Sequence, residues 1–316
     1  MAEITEDQRF EQIIHKIAPR SRLLRAWPLK GGISAWMTAL EIERPDGQTG
    51  RMILRQPGDA ALAHNPRAAE DEFRLLQIIH SLGLTTPRPF YLDQTGQILP
   101  TPFFVIEYIE GRPEFAPEDI TNFSAQMAAH LAKIHQVSGA NPDLAFLPRQ
   151  TNDLTTLIVP RPAQMNQSLD EGRIRDTLQA AWPFPRPNPP VLLHGDYWPG
   201  NILWQDDRLA AVIDWEDAHL GDPLKDLAIS RLDLLWIFGV EAMNSFTQAY
   251  QSRMAIDYTD LPYWDLYAAL RLVRMAGADL TGWAAFFPPF GRADITEQKI
   301  REYYRYFVDQ AFAGLQ

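Results

Sequence analysis

Four side chains stand in an ordered block between Val191 and Ala228: His194, Asp196, Asn201 and Asp214, in VLLHGDYWPGNILWQDDRLAAVIDWEDAHLGDPLKDLA. One carboxylate that takes the proton of an attacking hydroxyl, with an Asn and a second Asp that ligate a divalent cation, is the set phosphoryl transfer needs. The spacing supplies a geometry. Asn201 to Trp204 and Leu209 to Ile213 are apolar runs flanking Gln205-Asp206-Asp207-Arg208, which reads as a hairpin turn. An even-numbered loop centred on Asp206-Asp207 pairs Trp204 with Leu209 and, by extension, position 199 with Asp214. Side chains alternate with period 2 along a strand, so Asn201 and Asp214 are expected together at the open end of the hairpin. Mg²⁺ suits such a pair, because it binds few protein groups and takes its other ligands from phosphate and water. Asp196, just before the hairpin, is placed to orient and deprotonate the hydroxyl. Each residue alone is ordinary in a loop; the ordered set points to chemistry.

His194, Asp196 and Asn201 keep the spacing of the kinase catalytic loop, H-R-D-L-x-x-x-N, with Gly195 in place of the Arg, and Asp214 follows where a kinase has its D-F-G. HGDYWPGNIL, then VIDWEDAHLGDPLKDLA, resembles the aminoglycoside phosphotransferase and choline kinase-like family, whose pattern is H-G-D-x-x-x-x-N, I-D-W/F/Y and G-D-P-x-x-D-L-A. The resemblance is specific in this block and traceable from about Trp27 to Gly111. It implies an α+β, two-lobed protein kinase-like fold. Residues 1–110 would form a small antiparallel sheet lobe that binds nucleotide, and residues 111–316 a larger, mainly helical lobe for catalysis and substrate. It also implies ATP or GTP and Mg²⁺ as cofactors, and a small molecule with a hydroxyl as phosphate acceptor. Aminoglycosides, amino alcohols, sugars and hydroxy acids all fit that description. Asp196 and His194 would be the catalytic residues, His194 by bracing the loop, with Asn201 and Asp214 as metal ligands.

The elements that must carry these residues are legible in part. Residues 5–17 read as a helix with Phe10, Ile13, Ile14 and Ile17 on one face. From Leu23 to Leu54 the pattern is that of strands, with a hairpin turn at Pro45-Asp46-Gly47. Gly31, Gly32 and Ser34 lie between the first two, where a kinase covers phosphates with backbone N–H groups; the residues alone suit a plain hairpin equally, and the resemblance makes this the nucleotide loop. Arg55 ends the third strand, where the kinase pattern has Lys. Leu54-Arg55-Gln56-Pro57 resembles a branch of the family related to domains fused to acyl-CoA dehydrogenases. Residues 67–82 form an amphipathic helix with Leu75, Leu76, Ile79 and Leu82 as its stripe, closed by Gly83. Glu72 falls on that stripe, and a carboxylate there needs a partner, for which Arg55 is the natural choice. Phe103 to Gly111 is an apolar strand running into a loop; the resemblance makes Glu107 and Tyr108 the hinge that meets the adenine edge.

Helix 120–136 carries Phe123, Met127, Leu131 and Ile134 on one face, and its His130 and His135 read as surface or capping residues. Asp222 and Asp226 read as structural, the first in a turn and the second starting a helix at Leu227. Tyr263, Leu266, Tyr267, Leu270 and Val273 repeat at helical spacing and read as core. Composition limits the alternatives. A net charge of −11 disfavours nucleic acid; it suits a cationic partner through the field and is equally a common setting for solubility. No apolar run reaches the ~18–20 residues of a membrane span, and the charged MAEITEDQRF start has no signal-peptide core. The chain has 0 cysteines, which excludes disulfides and fits the cytoplasm. Two other readings stand beside phosphoryl transfer: a catalytically weak nucleotide-binding regulatory module, suggested by Arg55, and a metal-dependent hydrolase, which lacks a dense His/Asp ligand set.

Overall fold

The structure, a computed structural model, describes residues 5–29, 34–150, 156–276 and 280–316. The chain divides into two units, one made of residues up to Glu110 with Ala211–Glu216, the other of Gly111–Ala210 with Asp217–Gln316.

In the first unit, α1 (Glu6–Ile17) opens on a capping box in which Thr5 and Gln8 exchange side chain-to-backbone bonds. Strands β1 (Arg22–Pro28), β2 (Ala35–Glu43) and β3 (Thr49–Pro57) follow as antiparallel neighbours. Gly47, at φ 79°, supplies the left-handed residue that turns β2 into β3. After α2 (Asp59–His64) come α3 (Ala68–Ser81), β4 (Pro89–Asp93) and β5 (Phe103–Glu107), giving an antiparallel sheet of order β1-β2-β3-β5-β4. The period-2 alternation sends Leu40, Ile42, Met52, Leu54, Phe103 and Val105 to one face, where they pack with Phe10, Ile13 and Ile14 of α1. Arg55 and Phe104, which pair across β3 and β5, point to the other face, and there Phe73 of α3 meets Phe104 edge-on. Leu82 departs from the expected stripe: α3 ends at Ser81, and Leu82 lies past the last turn and is 52% exposed. Strand β4 is absent from the sequence reading because two prolines suggest a loop there. As a sheet edge that begins on Pro89 it needs no donor at that position.

The second unit is mainly helical: α4 (Ile120–His135), α5 (Glu171–Ala181), α6 (Leu224–Phe238), α7 (Val240–Gln251), α8 (Leu261–Ala276), the short α9 (Thr281–Ala284) and α10 (Glu297–Ala313). Helix α6 is buried nearly all round and packs against α7, α8 and α10; it is the axis of the unit. Two small ladders interrupt the helices. One pairs β6 (Val191–Leu193) with β9 (His219–Gly221), and the other is the hairpin of β7 (Ile202–Gln205) and β8 (Arg208–Val212), whose end continues into the first unit. Asp206 and Asp207 both have positive φ, 49° and 57°, the two-residue turn the sequence suggested. The ladder is shorter than expected. Pro199–Asn201 forms a 3₁₀ turn and Asp214 has φ 66°, so period-2 alternation reaches neither residue 199 nor Asp214. Among the described residues, no helix is long and apolar enough to cross a membrane.

Candidate active site

The loop between β6 and β7 carries Asp196. Gly195 leads into it at φ 87°, and a Cβ there would lie 2.3 Å from the carbonyl oxygen of Asp217. That contact is why glycine stands where the kinase pattern has Arg. Two successive backbone N–H groups, those of His194 and Gly195, donate to the carboxylate of Asp226 at 2.7 and 3.1 Å. The His194 ring is fully buried, and its Nδ1 accepts the N–H of Asp196 at 3.3 Å. This hydrogen bond ties the His194 ring to the backbone of Asp196, within the loop.

Asp226 is the anchor of this loop. It lies inside the first turn of α6 instead of before it, is 0% exposed, and also meets His135 Nε2 at 3.3 Å. Burial alone would raise its carboxyl, but the hydrogen bond and charge of His135, with His219 and His194 nearby, outweigh it and hold it well below the usual carboxylate range. His135 is accordingly no surface residue: it is one turn beyond Leu131 on the buried face of α4, and its Nδ1 contacts the Tyr250 hydroxyl at 2.6 Å. Asp222 is structural, receiving N–H groups from Asn188 and Leu224.

The Asp196 carboxylate is held at both oxygens. Asn201 Nδ2 donates to Oδ2 at 3.0 Å and to the Asp196 carbonyl at 3.0 Å, while Arg271 Nη2 of α8 donates to Oδ1 at 2.7 Å. Spending its NH₂ on Asp196 leaves the amide oxygen of Asn201 as the atom suited to a hard cation. Arg271 carries no signal in the sequence beyond being a charge between Leu270 and Leu272 on a core helix. Burial opposes the Arg271 charge, and Asp196 and Asp233 more than restore it. Asp233, buried on α6 and hydrogen-bonded by Trp236 Nε1 at 3.0 Å, is raised to about 7, by burial first and by the Asp196 charge as well, against the pull of Arg271.

In the first unit, Arg55 is the hub. Its side chain is 7% exposed, and its Nε donates to Glu72 at 3.1 Å, the pairing that the helix stripe suggested. Its Nη2 donates to Asp214 Oδ1 and to Glu216 Oε2, each at 2.8 Å. Burial would lower the Arg55 guanidinium, and the three carboxylates raise it instead. Burial pushes Glu72 up to about 7 although Arg55 opposes it, since the charges of Asp214 and Glu216 add to the upward pull. Three carboxylates around one guanidinium leave a surplus of negative charge, which fits Asp214 as a ligand for a divalent cation. Asp214 belongs to this unit through its neighbours: Val212 N–H donates to the Thr85 carbonyl at 2.9 Å, and the buried Trp215 indole closes back on Val212 at 3.0 Å. Glu216, two residues after Asp214, is missing from the sequence reading; its distance of two from a site carboxylate was the available hint.

Of the remaining residues, Ser34 immediately precedes β2, and its carbonyl accepts the Gly58 N–H at 2.8 Å. Gly31 and Gly32 lie outside the described residues. Glu107 ends β5 and accepts the Arg88 N–H at 3.2 Å, and Tyr108 lies under the Arg51 guanidinium at 5.0 Å.

The sequence pattern of the phosphotransferase enzyme family matches residues 33–293. Acyl-CoA dehydrogenase family member 11 of Rattus norvegicus is 25% identical over 256 residues, 71% of this chain, which spans only 32% of that relative's length. The apoenzyme of macrolide 2'-phosphotransferase from Brachybacterium faecium superposes with a TM-score of 0.59 at 18% identity, over 92% of this chain and 94% of its own. A spectinomycin phosphotransferase in complex with ADP and spectinomycin gives 0.64 at 15% identity, over 98% of each chain. The α+β fold is thus the two-lobed kinase-like one. The chain belongs to the phosphotransferase enzyme family.

Proposed function

We propose that the chain moves the γ-phosphoryl group of ATP or GTP to a hydroxyl of a small molecule. The observation that carries this is the Asp196 carboxylate, held at both oxygens on a loop pinned by Asp226. A base so fixed can orient an acceptor hydroxyl and take its proton, and in a loose transition state little base strength is needed. The lobe of residues 1–110 would hold the nucleotide, with Gly31, Gly32 and Ser34 over the phosphates, Arg55 on them and Glu107-Tyr108 at the base. The lobe of residues 111–316 would hold the acceptor. Asn201 and Asp214 offer the oxygen ligands Mg²⁺ prefers; when bound, Mg²⁺ screens the phosphate charge. Nucleotide complexes among proteins of the same fold, such as the ADP complex of spectinomycin phosphotransferase, support the nucleotide assignment. The net charge of −11 would draw a cationic acceptor in. Next to Asp196, however, the Arg271 guanidinium repels one, so any amine of the acceptor would lie away from the reacting hydroxyl.

The test is transfer of label from γ-labelled ATP and GTP to a library of aminoglycosides, amino alcohols, sugars and hydroxy acids. A labelled acceptor in the presence of Mg²⁺ supports the reading. Tight nucleotide binding with no transfer to any class would favour the regulatory alternative.

A further inference from the structure

We infer that Glu216 is a positioning residue for Arg55, the second arm of a clamp whose first arm is Glu72, and that this clamp is what allows an arginine to serve as the phosphate-binding side chain. The inference rests on the reading of Arg55 as a nucleotide contact. A guanidinium is a rigid plane with donors at separate nitrogens, and a single contact leaves it free to turn about its last bonds. Here Glu72 takes Nε at 3.1 Å and Glu216 takes Nη2 at 2.8 Å, so the plane is fixed at two points. Asp214 takes the other Nη2 hydrogen at 2.8 Å. Nη1 meets only the weak acceptor Sδ of Met37, at 3.8 Å, among the described residues, which leaves it as the nitrogen available for a phosphate oxygen.

The arrangement separates the tasks of the two carboxylates after β8. If Asp214 is given up to a cation, Arg55 loses one of three partners, and Glu72 with Glu216 still holds both ends. Without Glu216, the same event would leave only the Nε contact, and the phosphate-binding nitrogen would swing. A lysine has its three donors on a single nitrogen and no rigid plane, so it lacks the separate nitrogens that Glu72 and Glu216 hold here. Arg55 and Glu216 therefore form one device, and each is of little use to nucleotide binding without the other.

The experiment is a double-mutant cycle on Mg–ATP affinity, read by a fluorescent ATP analogue, with steady-state kinetics alongside for any acceptor found. Glu216→Gln keeps size and removes charge. It is expected to weaken Mg–ATP binding about 5–30-fold, to change kcat less than about threefold, and to leave the Mg²⁺ concentration for half-saturation unchanged. Glu216→Asp should recover part of the loss. In an Arg55→Lys background, Glu216→Gln should cost less than about twofold. Unchanged affinity in Glu216→Gln, or losses that simply add with Arg55→Lys, would overturn the clamp. A raised Mg²⁺ requirement with unchanged nucleotide affinity would also overturn it and make Glu216 a metal ligand instead. A native chain that binds no Mg–ATP would defeat the phosphotransferase reading itself, whereas native binding with indifferent variants defeats the clamp alone.

Discussion

At the scale of single residues, the candidate site is defined by carboxylates whose surroundings differ sharply. Asp226 and Asp233 lie on the same helix and are both buried, yet one is pulled down by histidines and the other is raised to about 7. Asp233 leads to a prediction about pH. In the unfolded chain its carboxyl titrates near 3.8, so between about 4 and about 7 the folded chain holds the proton more tightly. Stability from this group is therefore lost as pH rises through that window, and nothing further is lost above it. Asp233→Asn keeps an oxygen for Trp236 and cannot ionise. It should raise the free energy of unfolding measured by denaturant titration, with a gain ~2 kcal/mol larger at pH 8 than at pH 5; equal gains at both pH values would contradict the burial argument. The same residue scale shows what the sequence could not reveal. Asp196 and Asn201 are five positions apart and were legible as a pattern. Arg271 is separated from Asp196 by 75 positions, and only the packing of α8 on α6 brings the two together. His135 looked like a surface residue because a lone His at a helix end usually is one; its partners, Asp226 and Tyr250, are remote in the chain.

At the scale of elements, the loop that carries Asp196 depends on a backbone contact more than on any strand. Gly195 is expected to be the position least tolerant of change: Gly195→Ala combines a φ of 87° with a Cβ 2.3 Å from the Asp217 oxygen. Strain of this kind costs ~1–3 kcal/mol, and any relief moves Asp196. A shift near 1 Å at a reacting group is worth up to about 100-fold in rate. Turnover should therefore fall at least ~10-fold in a variant whose circular dichroism is native; unimpaired turnover would show that the close contact does not set the position of Asp196. The helices and the hairpin turn were readable from periodicity and turn chemistry. The hairpin's far end was not, because a 3₁₀ turn and a left-handed residue replace the regular strand that the extrapolation assumed. Strand β4 was hidden by Pro89 at its start and Pro87 before it; an edge position tolerates the first.

At the scale of the whole molecule, the boundary after Glu110 is followed by a return: Ala211–Glu216 goes back to the first unit and delivers Asp214 and Glu216 to Arg55, while Asp196 and Asn201 stay with the second. The chain thus divides its candidate residues between two units, Arg55, Glu72, Asp214 and Glu216 in one and Asp196, Asn201 and Arg271 in the other. That division gives the account its most direct test: Asp196→Asn, assayed for label transfer from γ-labelled ATP to an acceptor and, separately, for Mg–ATP affinity. If Asp196 is the base, the rate of transfer should fall at least ~100-fold, in line with the usual contribution of a positioned base, and nucleotide affinity should stay within about twofold of the native chain. Transfer at a comparable rate in Asp196→Asn would contradict the account, because no other carboxylate has been assigned to the hydroxyl.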